Sequence, residues 1–396
     1  MYTPAAIGLF ERVKALFDPA DLLNPGVIVR PAPLDADIRL ASAPPYRHQL
    51  ALAYRHDRGD LTTAVHRCTG VGKCRADTTI SGGVMCPSFL ATRDEKDSTR
   101  GRARVLQDVV AGRLAWDAPA VAASLDLCLS CKGCSSDCPT GVDMAAYKAE
   151  ALHQRYRRKL RPRSHYSLGM LPRWMRLATA TTGVARATNL TMRLLHPLVT
   201  AVAGVDRRRS LPTFAPVTFR RWFAARPAQT TAPHGDVVLF VDTFTDGFSP
   251  EVGQAAVTVL EAAGYRVRVT EKPTCCGLTW ISTGQLGAAR RQVAATVRAL
   301  TPHVRAGALV VGLEPSCTGV LRSDALELLT GDDLAAATEV AAASFMSATT
   351  TLAPSAPNSS AVALPIPLPA PVITDTRPVT SPMTAPSLAP LNYLRW

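Results

Sequence analysis

Seven of the ten cysteines lie between residues 68 and 138, and their spacing is that of metal ligands. The run from Cys128 to Pro139 reads C-x2-C-x2-C-x3-C-P. Bacterial ferredoxins use this spacing, and in two-cluster members the fourth cysteine ligates the other cluster. Two-residue gaps let three thiolates converge on one face of a cubane, whereas zinc sites pair their ligands across a longer gap. The run therefore predicts iron–sulfur chemistry.

A second cysteine motif precedes this run and lacks one member. Val71 stands where the full pattern has its middle cysteine, between Cys68 and Cys74, and Cys86-Pro87 closes the motif. Because the last cysteine of each motif crosses to the other cluster, the spacing predicts two sets of ligands. The first set, which would hold a 4Fe-4S cluster, is Cys86, Cys128, Cys131 and Cys134. The second set is Cys68, Cys74 and Cys138.

The second set is one ligand short. Three cysteines suit a 3Fe-4S cluster, a 4Fe-4S cluster with a non-protein or histidine ligand, or no cluster. His66 is the nearest candidate for the missing ligand, although a lone histidine here is more often an ordinary polar surface residue. Arg100 and Arg102 lie in a mixed-charge stretch between the motifs. They either form a solvated helix face or offset the negative charge of a thiolate-bound cluster.

The other three cysteines follow predicted strands in the second half of the chain. Short apolar runs at 237–241, 265–269 and 309–313 predict strands, and residues 252–263 predict a helix between the first two. Such alternation argues for a small parallel sheet. Adjacent cysteines followed by glycine favour metal or redox chemistry over buried structural thiols. The candidates are Cys275, Cys276 and Cys317.

Composition and charge limit the class of protein. Ten cysteines in 396 residues are too few for a disulfide-stapled secreted scaffold, and no segment resembles a signal peptide or reaches the length of a transmembrane helix. The 44 Lys and Arg against 31 Asp and Glu give a net charge of +13. The excess of positive charge lies mainly in residues 151–230. This segment would either bind an acidic partner or an anionic membrane surface, or form a solvated face. Nucleic-acid binding is disfavoured because no recognised reading motif accompanies the basic run.

Changes in composition along the chain predict five segments. A short amphipathic helix and turn come first, then helices around the cysteine motifs, near residues 95–112 and 144–158. A basic linker or helical segment follows, then a strand-helix segment, and a Pro, Ala, Ser and Thr-rich tail that is expected to be disordered. The predicted bounds are 1–40, 41–165, 166–235, 236–342 and 343–396.

Taken together, the motifs resemble a known family of enzymes. The cysteine motifs and Thr99-Arg100-Gly101-Arg102-Ala103 resemble the ferredoxin segment behind the flavin domain of bacterial FAD-linked D-2-hydroxy-acid dehydrogenases of the glycolate, D-lactate and D-2-hydroxyglutarate type. Cys275-Cys276-Gly277 resembles the cysteine-rich domain of glycolate oxidase iron–sulfur subunits and heterodisulfide reductases. Phe17-Asp18-Pro19 and Leu23-Asn24-Pro25-Gly26 resemble the carboxyl-terminal end of a flavin domain of the vanillyl-alcohol-oxidase type.

The resemblance implies an α+β multidomain protein. An α-helical ferredoxin module would be followed by a small α/β cysteine-rich domain, of the CCG type and only half of the family's pair, and by a disordered C-terminal tail. Only the last helix and turn of the flavin domain have a counterpart here, so FAD would come through a partner or a missing domain. The chain is accordingly expected to be a split subunit or a truncated portion of such an enzyme.

The preferred hypothesis is an iron–sulfur electron-transfer component of a flavin-dependent 2-hydroxy-acid dehydrogenase. It would accept electrons from the reduced flavin of a flavoprotein partner and pass them to a quinone or a soluble acceptor. No catalytic residue is predicted in the chain itself. The alternatives are a non-catalytic iron–sulfur binding protein and an inactive remnant of such an enzyme. The expected location is cytoplasmic, with peripheral contact at the inner face of the membrane.

Overall fold

The structure is a computed structural model of the chain. It describes residues 2–346 apart from 34–35, 37, 39–42, 48, 78–82, 228 and 230–231. The described residues belong to one compact unit that ends at Met346. From residue 347 onward, the tail predicted to be disordered lies outside the described residues.

The first helix is amphipathic but unburied. Helix α1 spans Pro4–Phe17, in agreement with the predicted periodicity, and none of its residues is buried. The hydroxyl of Thr3 accepts a hydrogen bond from the amide of Ala6, and Pro4 occupies the first turn, where its missing amide hydrogen costs nothing. Its apolar residues therefore contribute to the surface, with Phe17 79% exposed.

Six helices surround the cysteine motifs. The helices predicted near residues 95–112 and 144–158 are confirmed, and each begins at a side-chain cap: Ser98 accepts from the amide of Gly101, and Asp143 accepts from that of Ala146. The six are α2 (Leu61–His66), α3 (Pro87–Thr92), α4 (Thr99–Val110), α5 (Pro119–Asp126), α6 (Gly133–Asp137) and α7 (Met144–Arg155).

The basic segment, predicted as a linker or a helical segment, is mostly helical. Its helices leave large apolar side chains in solvent, among them Leu177, Leu194, Leu198 and Val202. Among the described residues, none of the helices combines the length and apolar character that crossing a bilayer requires. The helices of this segment are α8 (Arg163–Ser167), α9 (Leu171–Ala178), α10 (Thr182–Leu194), α11 (His196–Ala203) and α12 (Phe219–Ala225).

A four-stranded parallel sheet follows, in the order β2-β1-β3-β4. The three predicted strands are confirmed, and their backbone pairing joins Val237 to Val267 and to Leu309. The fourth strand was not predicted and occupies the first residues of the predicted tail. The strands are β1 (Asp236–Phe240), β2 (Arg266–Arg268), β3 (Leu309–Gly312) and β4 (Ser344–Met346).

Helices connect and cover the strands. The long helix between β2 and β3 buries one apolar face, including Leu286, Val293 and Leu300, against the sheet and its neighbours. The helices are α13 (Thr243–Gly247), α14 (Pro250–Ala262), α15 (Leu278–Ser282), α16 (Leu286–Arg305), α17 (Pro315–Gly319), α18 (Ala325–Leu328) and α19 (Gly331–Ala343). A π-helical turn, Val320–Asp324, joins α17 to α18.

One hydrophobic core joins the cysteine motifs to the sheet. It contains Leu106 and Tyr147 from the motif helices together with Phe240 and Trp280 from the sheet region. Arg55 strengthens the junction, because its guanidinium donates to the carbonyl oxygens of Leu326 at 2.8 Å and Leu329 at 2.7 Å. The protein is thus a helix-rich fold with a small parallel sheet, and the cysteine motifs pack on the core that supports the sheet.

Candidate iron–sulfur centre

The loop that carries Cys128, Cys131 and Cys134 is wound tightly. Ser130 and Lys132, between the cysteines, both have left-handed backbone conformations, with φ of 54° and 60°. A non-glycine residue in this region costs about 1 kcal/mol or more, and such residues cluster at ligand-binding sites. The winding brings the three sulfurs into one neighbourhood, close enough that Cys128 and Cys131 both contribute to the upward pKa shift of Cys134.

The sulfur of Cys134 lies in a site suited to an iron-bound thiolate. Its side chain is buried, and the amide of Met144 donates a hydrogen bond to Sγ at 3.4 Å. Burial is the main cause that raises the pKa of this thiol to about 12. Without iron the thiol is therefore protonated, and iron binding must displace the proton.

Cys86 comes from the upstream motif and is held beside the helix that carries Cys134. Its φ is 60°, and its sulfur accepts a hydrogen bond from the amide of Thr99 at 3.0 Å. The preceding residues, Val84 and Met85, donate their amide hydrogens to one carboxylate oxygen of Asp137 in α6, at 2.8 and 3.0 Å. The two motifs are thereby fixed together, as the crossed ligand sets require.

Two positively charged side chains, those of Arg102 and Lys148, lie beside the cysteines of the first set. Arg102 is only 2% exposed, and its Nη1 lies 3.7 Å from the sulfur of Cys86, so it does not belong to a solvated helix face. Lys148 was missed by the sequence reasoning, since nothing in its spacing marks it. Its Nζ donates to the carbonyl oxygen of Cys128 at 2.5 Å, and burial lowers its pKa. Positive charge near the sulfurs favours the more negative, reduced state of a cluster.

Lys132 ties the cysteine loop to the sheet region. Its ammonium lies 2.9 Å from Asp324 and 3.2 Å from Asp143, and it also donates to the hydroxyl of Ser323 at 3.2 Å. Asp324 is buried at the end of the π-helical turn. The position of the loop therefore depends on residues nearly two hundred positions away, which no local pattern reveals.

The second set lines a small cavity. Cys68, Cys74 and Cys138 all contribute to its wall, and so does Val71, at the position of the missing cysteine. Arg100 also lines the cavity and forms an ion pair with Glu95 at 2.7 Å. The structure therefore brings together the three cysteines that the crossed arrangement assigned to one cluster.

The thiols of the second set differ in their surroundings. Burial raises the pKa of Cys68 and of Cys74. Burial also acts to raise the pKa of Cys138, but hydrogen bonds from the Thr140 hydroxyl and from the amides of Val142, Thr140 and Gly141 bring it below its usual value. Cys138 is therefore the thiol of this set that most readily supplies a thiolate.

His66 does not take the place of the missing ligand at this cavity. Its Nδ1 lies 2.7 Å from the carbonyl oxygen of Thr62, and its Nε2 is buried without a hydrogen-bond partner among the described residues. His66 is absent from the residues that line the cavity, where Val71 stands instead. The cavity thus offers three cysteine sulfurs.

The residues of both sets fit an iron–sulfur group better than a single metal ion. Within the described ranges, no three histidine, cysteine, aspartate or glutamate side chains form a group that would hold one ion. In a cluster each thiolate binds a different iron, so the ligands surround a volume. Amide hydrogens directed at Cys86 and Cys134 are the kind of contact that stabilises cluster sulfurs.

The two sets lie next to each other. Cys74 of the second set and Cys86 of the first are close enough for their charges to interact, which contributes to the raised pKa of Cys74. Clusters held by the two sets would be neighbours, and neighbouring clusters can exchange electrons.

The remaining three cysteines lie at the carboxyl edge of the sheet. Cys275 and Cys276 follow β2 and precede α15, and Cys317 lies in α17 after β3; all three are buried. The thiol of Cys276 lies 2.9 Å from that of Cys317, whereas Cys275 accepts a hydrogen bond from the amide of Gly277 at 3.4 Å. Ligands commonly bind at this edge of parallel sheets.

Comparison with known proteins identifies the cysteine region as a 4Fe-4S dicluster domain, which the family profile matches over residues 64–142. The chain is thus an iron–sulfur protein of the electron-transfer class. Its resemblance to the iron–sulfur portion of bacterial FAD-linked 2-hydroxy-acid dehydrogenases is also confirmed, through relatives of that kind.

Three relatives illustrate this relationship. The chain is 31% identical over 147 residues to one subunit of the anaerobic glycerol-3-phosphate dehydrogenase of Escherichia coli, which covers 37% of each protein. It is 25% identical to the D-2-hydroxyglutarate dehydrogenase of Pantoea ananatis, over 83% of this chain and 36% of that protein. It is 24% identical to the glycolate oxidase iron–sulfur subunit of Escherichia coli, over 69% of this chain and 62% of that protein.

The chain spans little more than a third of the length of the first two of these relatives. No solved structure matches it.

Completing the second set should change its cluster. Val71 is 70% exposed at the cavity wall, so a cysteine there has room to turn its thiolate towards Cys68, Cys74 and Cys138. We expect Val71→Cys to raise the iron content per chain and to replace any 3Fe-4S EPR signal of the oxidised protein by the silent 4Fe-4S state. Val71→Ala, which adds no thiolate, is the control. Iron content and spectra equal to those of the wild type would contradict a 3Fe-4S cluster at these three ligands.

Proposed function

We propose that the chain is the iron–sulfur electron-transfer component of a flavin-dependent 2-hydroxy-acid dehydrogenase. In this proposal a flavoprotein partner that carries the FAD domain oxidises the 2-hydroxy acid, and the chain takes the electrons from the reduced flavin. The observation that carries the proposal is the pair of adjacent cysteine sets within one dicluster domain, with Cys74 and Cys86 as neighbours.

Each ligand set holds its own cluster in this proposal. The first holds a 4Fe-4S cluster, and the second holds a 3Fe-4S or 4Fe-4S cluster. Bound clusters supply one-electron redox chemistry, while the protein sets their position and potential. Arg102 and Lys148 supply positive charge at the first set, and Arg100 supplies it at the second. The ligands are Cys86, Cys128, Cys131 and Cys134 for the first cluster and Cys68, Cys74 and Cys138 for the second.

The exposed apolar face of α1 is where we place the flavoprotein. Leu9, Val13, Leu16 and Phe17 are all exposed on this helix, and an apolar patch of this kind usually marks an interface. A flavoprotein is the chosen occupant because Phe17-Asp18-Pro19 and Leu23-Asn24-Pro25-Gly26, at and after the end of α1, resemble the carboxyl-terminal end of a flavin domain.

The basic helices are where we place contact with a membrane that contains the quinone acceptor. Residues 151–205 contain ten Arg and Lys but neither Asp nor Glu. Leu177, Leu194 and Leu198 are exposed in the same segment. A basic surface with exposed leucines is suited to the interface of an anionic bilayer. A soluble acceptor remains the alternative, and the experiment below separates the two.

The proposal is tested by following the cluster absorbance in anaerobic mixtures. We expect the oxidised chain to lose visible absorbance when mixed with an FAD-linked flavoprotein and its 2-hydroxy acid, and to regain it when quinone in phosphatidylglycerol vesicles is added. Quinone in phosphatidylcholine vesicles is the matched control for the charge of the surface. Faster reoxidation by cytochrome c than by either vesicle would indicate a soluble acceptor.

A negative result would be informative because dithionite reduces a functional cluster without any partner. If dithionite bleaches the chain but glycolate, D-lactate and D-2-hydroxyglutarate flavoproteins do not, the proposed role is wrong. The chain would then be a non-catalytic iron–sulfur protein or an inactive remnant.

A further inference from the structure

Two buried thiols that belong to neither ligand set meet at the carboxyl edge of the sheet. The sulfurs of Cys276 and Cys317 are 2.9 Å apart, and each residue is 3% exposed. This separation is less than 1 Å longer than a disulfide bond of about 2.05 Å. The two residues are 41 positions apart in sequence and lie on the connections that follow two different strands.

The pair has too few neighbouring ligands to hold a single metal ion. A structural zinc site takes four ligands, and no group of three or more candidate ligands forms within the part of the chain that the structure describes. Cys275 interacts with Cys276, but it also receives hydrogen bonds from the Thr243 hydroxyl and the Gly277 amide. A disulfide, in contrast, requires only the two sulfurs that already touch.

A bond between the adjacent residues Cys275 and Cys276 is disfavoured by geometry. Consecutive α-carbons lie 3.80 Å apart across a trans peptide, whereas disulfides usually join α-carbons about 4.4–6.8 Å apart. The chain has no cis peptide bonds among its described residues. Cys317 is therefore the better partner for Cys276.

We propose that Cys276 and Cys317 form a two-electron dithiol–disulfide couple. With a peroxide as oxidant, one thiolate attacks a peroxide oxygen, the O–O bond breaks, and a sulfenic acid and one water form. The second thiol then attacks that sulfur, the S–S bond forms, and the S–O bond breaks to release a second water. Two thiols and one hydrogen peroxide thus give one disulfide and two waters, and a low-molecular-weight dithiol reverses the change.

The position of the pair determines which oxidants can reach it and which elements the disulfide would connect. Because both sulfurs are buried, only a small oxidant can reach them. The bond would join the loop before α15 to α17, and α17 continues into the π-helical turn that ends at Asp324. Asp324 binds Lys132 in the cysteine loop at 2.9 Å. The couple does not depend on the proposed flavoprotein partner, so its test does not use one.

The test uses the full-length, cluster-containing chain. It is treated anaerobically with hydrogen peroxide, denatured in the presence of the alkylating reagent, and digested with trypsin without reduction. Trypsin places Cys275 and Cys276 in the peptide 269–290 and Cys317 in the peptide 306–322. We expect these two peptides to appear joined, with one alkyl group on Cys275 and otherwise lighter by two hydrogen atoms than their sum, and to separate after reduction.

Three variants decide which sulfurs are involved. The joined peptide should persist in Cys275→Ser and disappear in Cys276→Ser and in Cys317→Ser, while the iron content of all three stays at the wild-type value. Survival of the link in Cys276→Ser would overturn the proposal, and so would full alkylation of both thiols after peroxide. Loss of iron in Cys276→Ser and Cys317→Ser together would show a metal site instead. Circular dichroism confirms that each variant is folded.

Discussion

Replacing Cys134 by serine should remove the cluster of the first set and about four irons per chain. Cys134 is buried, and its sulfur receives the amide hydrogen of Met144 at 3.4 Å. A serine hydroxyl at this position does not readily ionise, so it is a poor substitute for the thiolate that iron requires. Because Cys134 itself is buried, no solvent ligand easily reaches an iron at this position. We expect loss of the reduced 4Fe-4S EPR signal and of the corresponding iron.

The matched control is Cys275→Ser. Cys275 is also a buried cysteine in the same hydrophobic core, but it lies at the edge of the sheet and outside both ligand sets. Iron content and EPR should stay at wild-type values in this variant, measured after anaerobic purification. If Cys134→Ser retains its full iron content and signal while folded, the assignment of the first ligand set is wrong.

The elements around the site could be predicted because local patterns determine them. Short apolar runs identified β1 and β3, and helical composition without strand-like alternation identified α4 and α7. The fixed spacing from Cys128 to Cys138 identified the ferredoxin motif, which the dicluster profile confirms. Such spacing can be recognised in a sequence because Cys128, Cys131 and Cys134 must reach one cluster from a single turn of the chain.

The contacts that tune the site could not be predicted, because they join distant parts of the chain. Nothing local shows that Lys132 reaches Asp324 at 2.9 Å, or that Lys148 reaches the carbonyl of Cys128. The short strand β4 was missed for a similar reason. Its residues Ser344–Met346 adopt strand structure only by pairing with β3, next to a composition that indicated a tail.

Replacing Arg102 by methionine should destabilise the protein and lower the reduction potential of the first cluster. The guanidinium donates to the Ser124 carbonyl at 2.7 Å and the Ser88 hydroxyl at 2.9 Å, and it lies 3.9 Å from the buried carboxylate of Asp97. Methionine fills similar space but leaves that carboxylate without its buried cation. Breaking a buried pair in this way costs about 3–5 kcal/mol, a loss in the free energy of unfolding that chemical denaturation can measure.

The direction of the potential shift follows from charge. Reduction adds an electron to the cluster, and the Nη1 of Arg102 lies 3.7 Å from the sulfur of Cys86. A unit charge about 6 Å from the cluster at an effective dielectric constant of about 20 contributes about 2.8 kcal/mol, or about 120 mV for one electron. Because Asp97 offsets part of this charge, the expected decrease is some tens of millivolts.

Arg104→Met is the matched control. It distinguishes the effect of losing the buried charge from the effect of losing any arginine in α4. Arg104 lies two residues further along the helix, with its side chain 48% exposed and paired with Asp108 at 3.0 Å. An exposed pair contributes at most about 1 kcal/mol, so both stability and potential should stay near wild type. A spectroelectrochemical titration compares the two variants. An unchanged or higher potential in folded Arg102→Met would show that Arg102 supports the Cys86 loop structurally without favouring the reduced cluster.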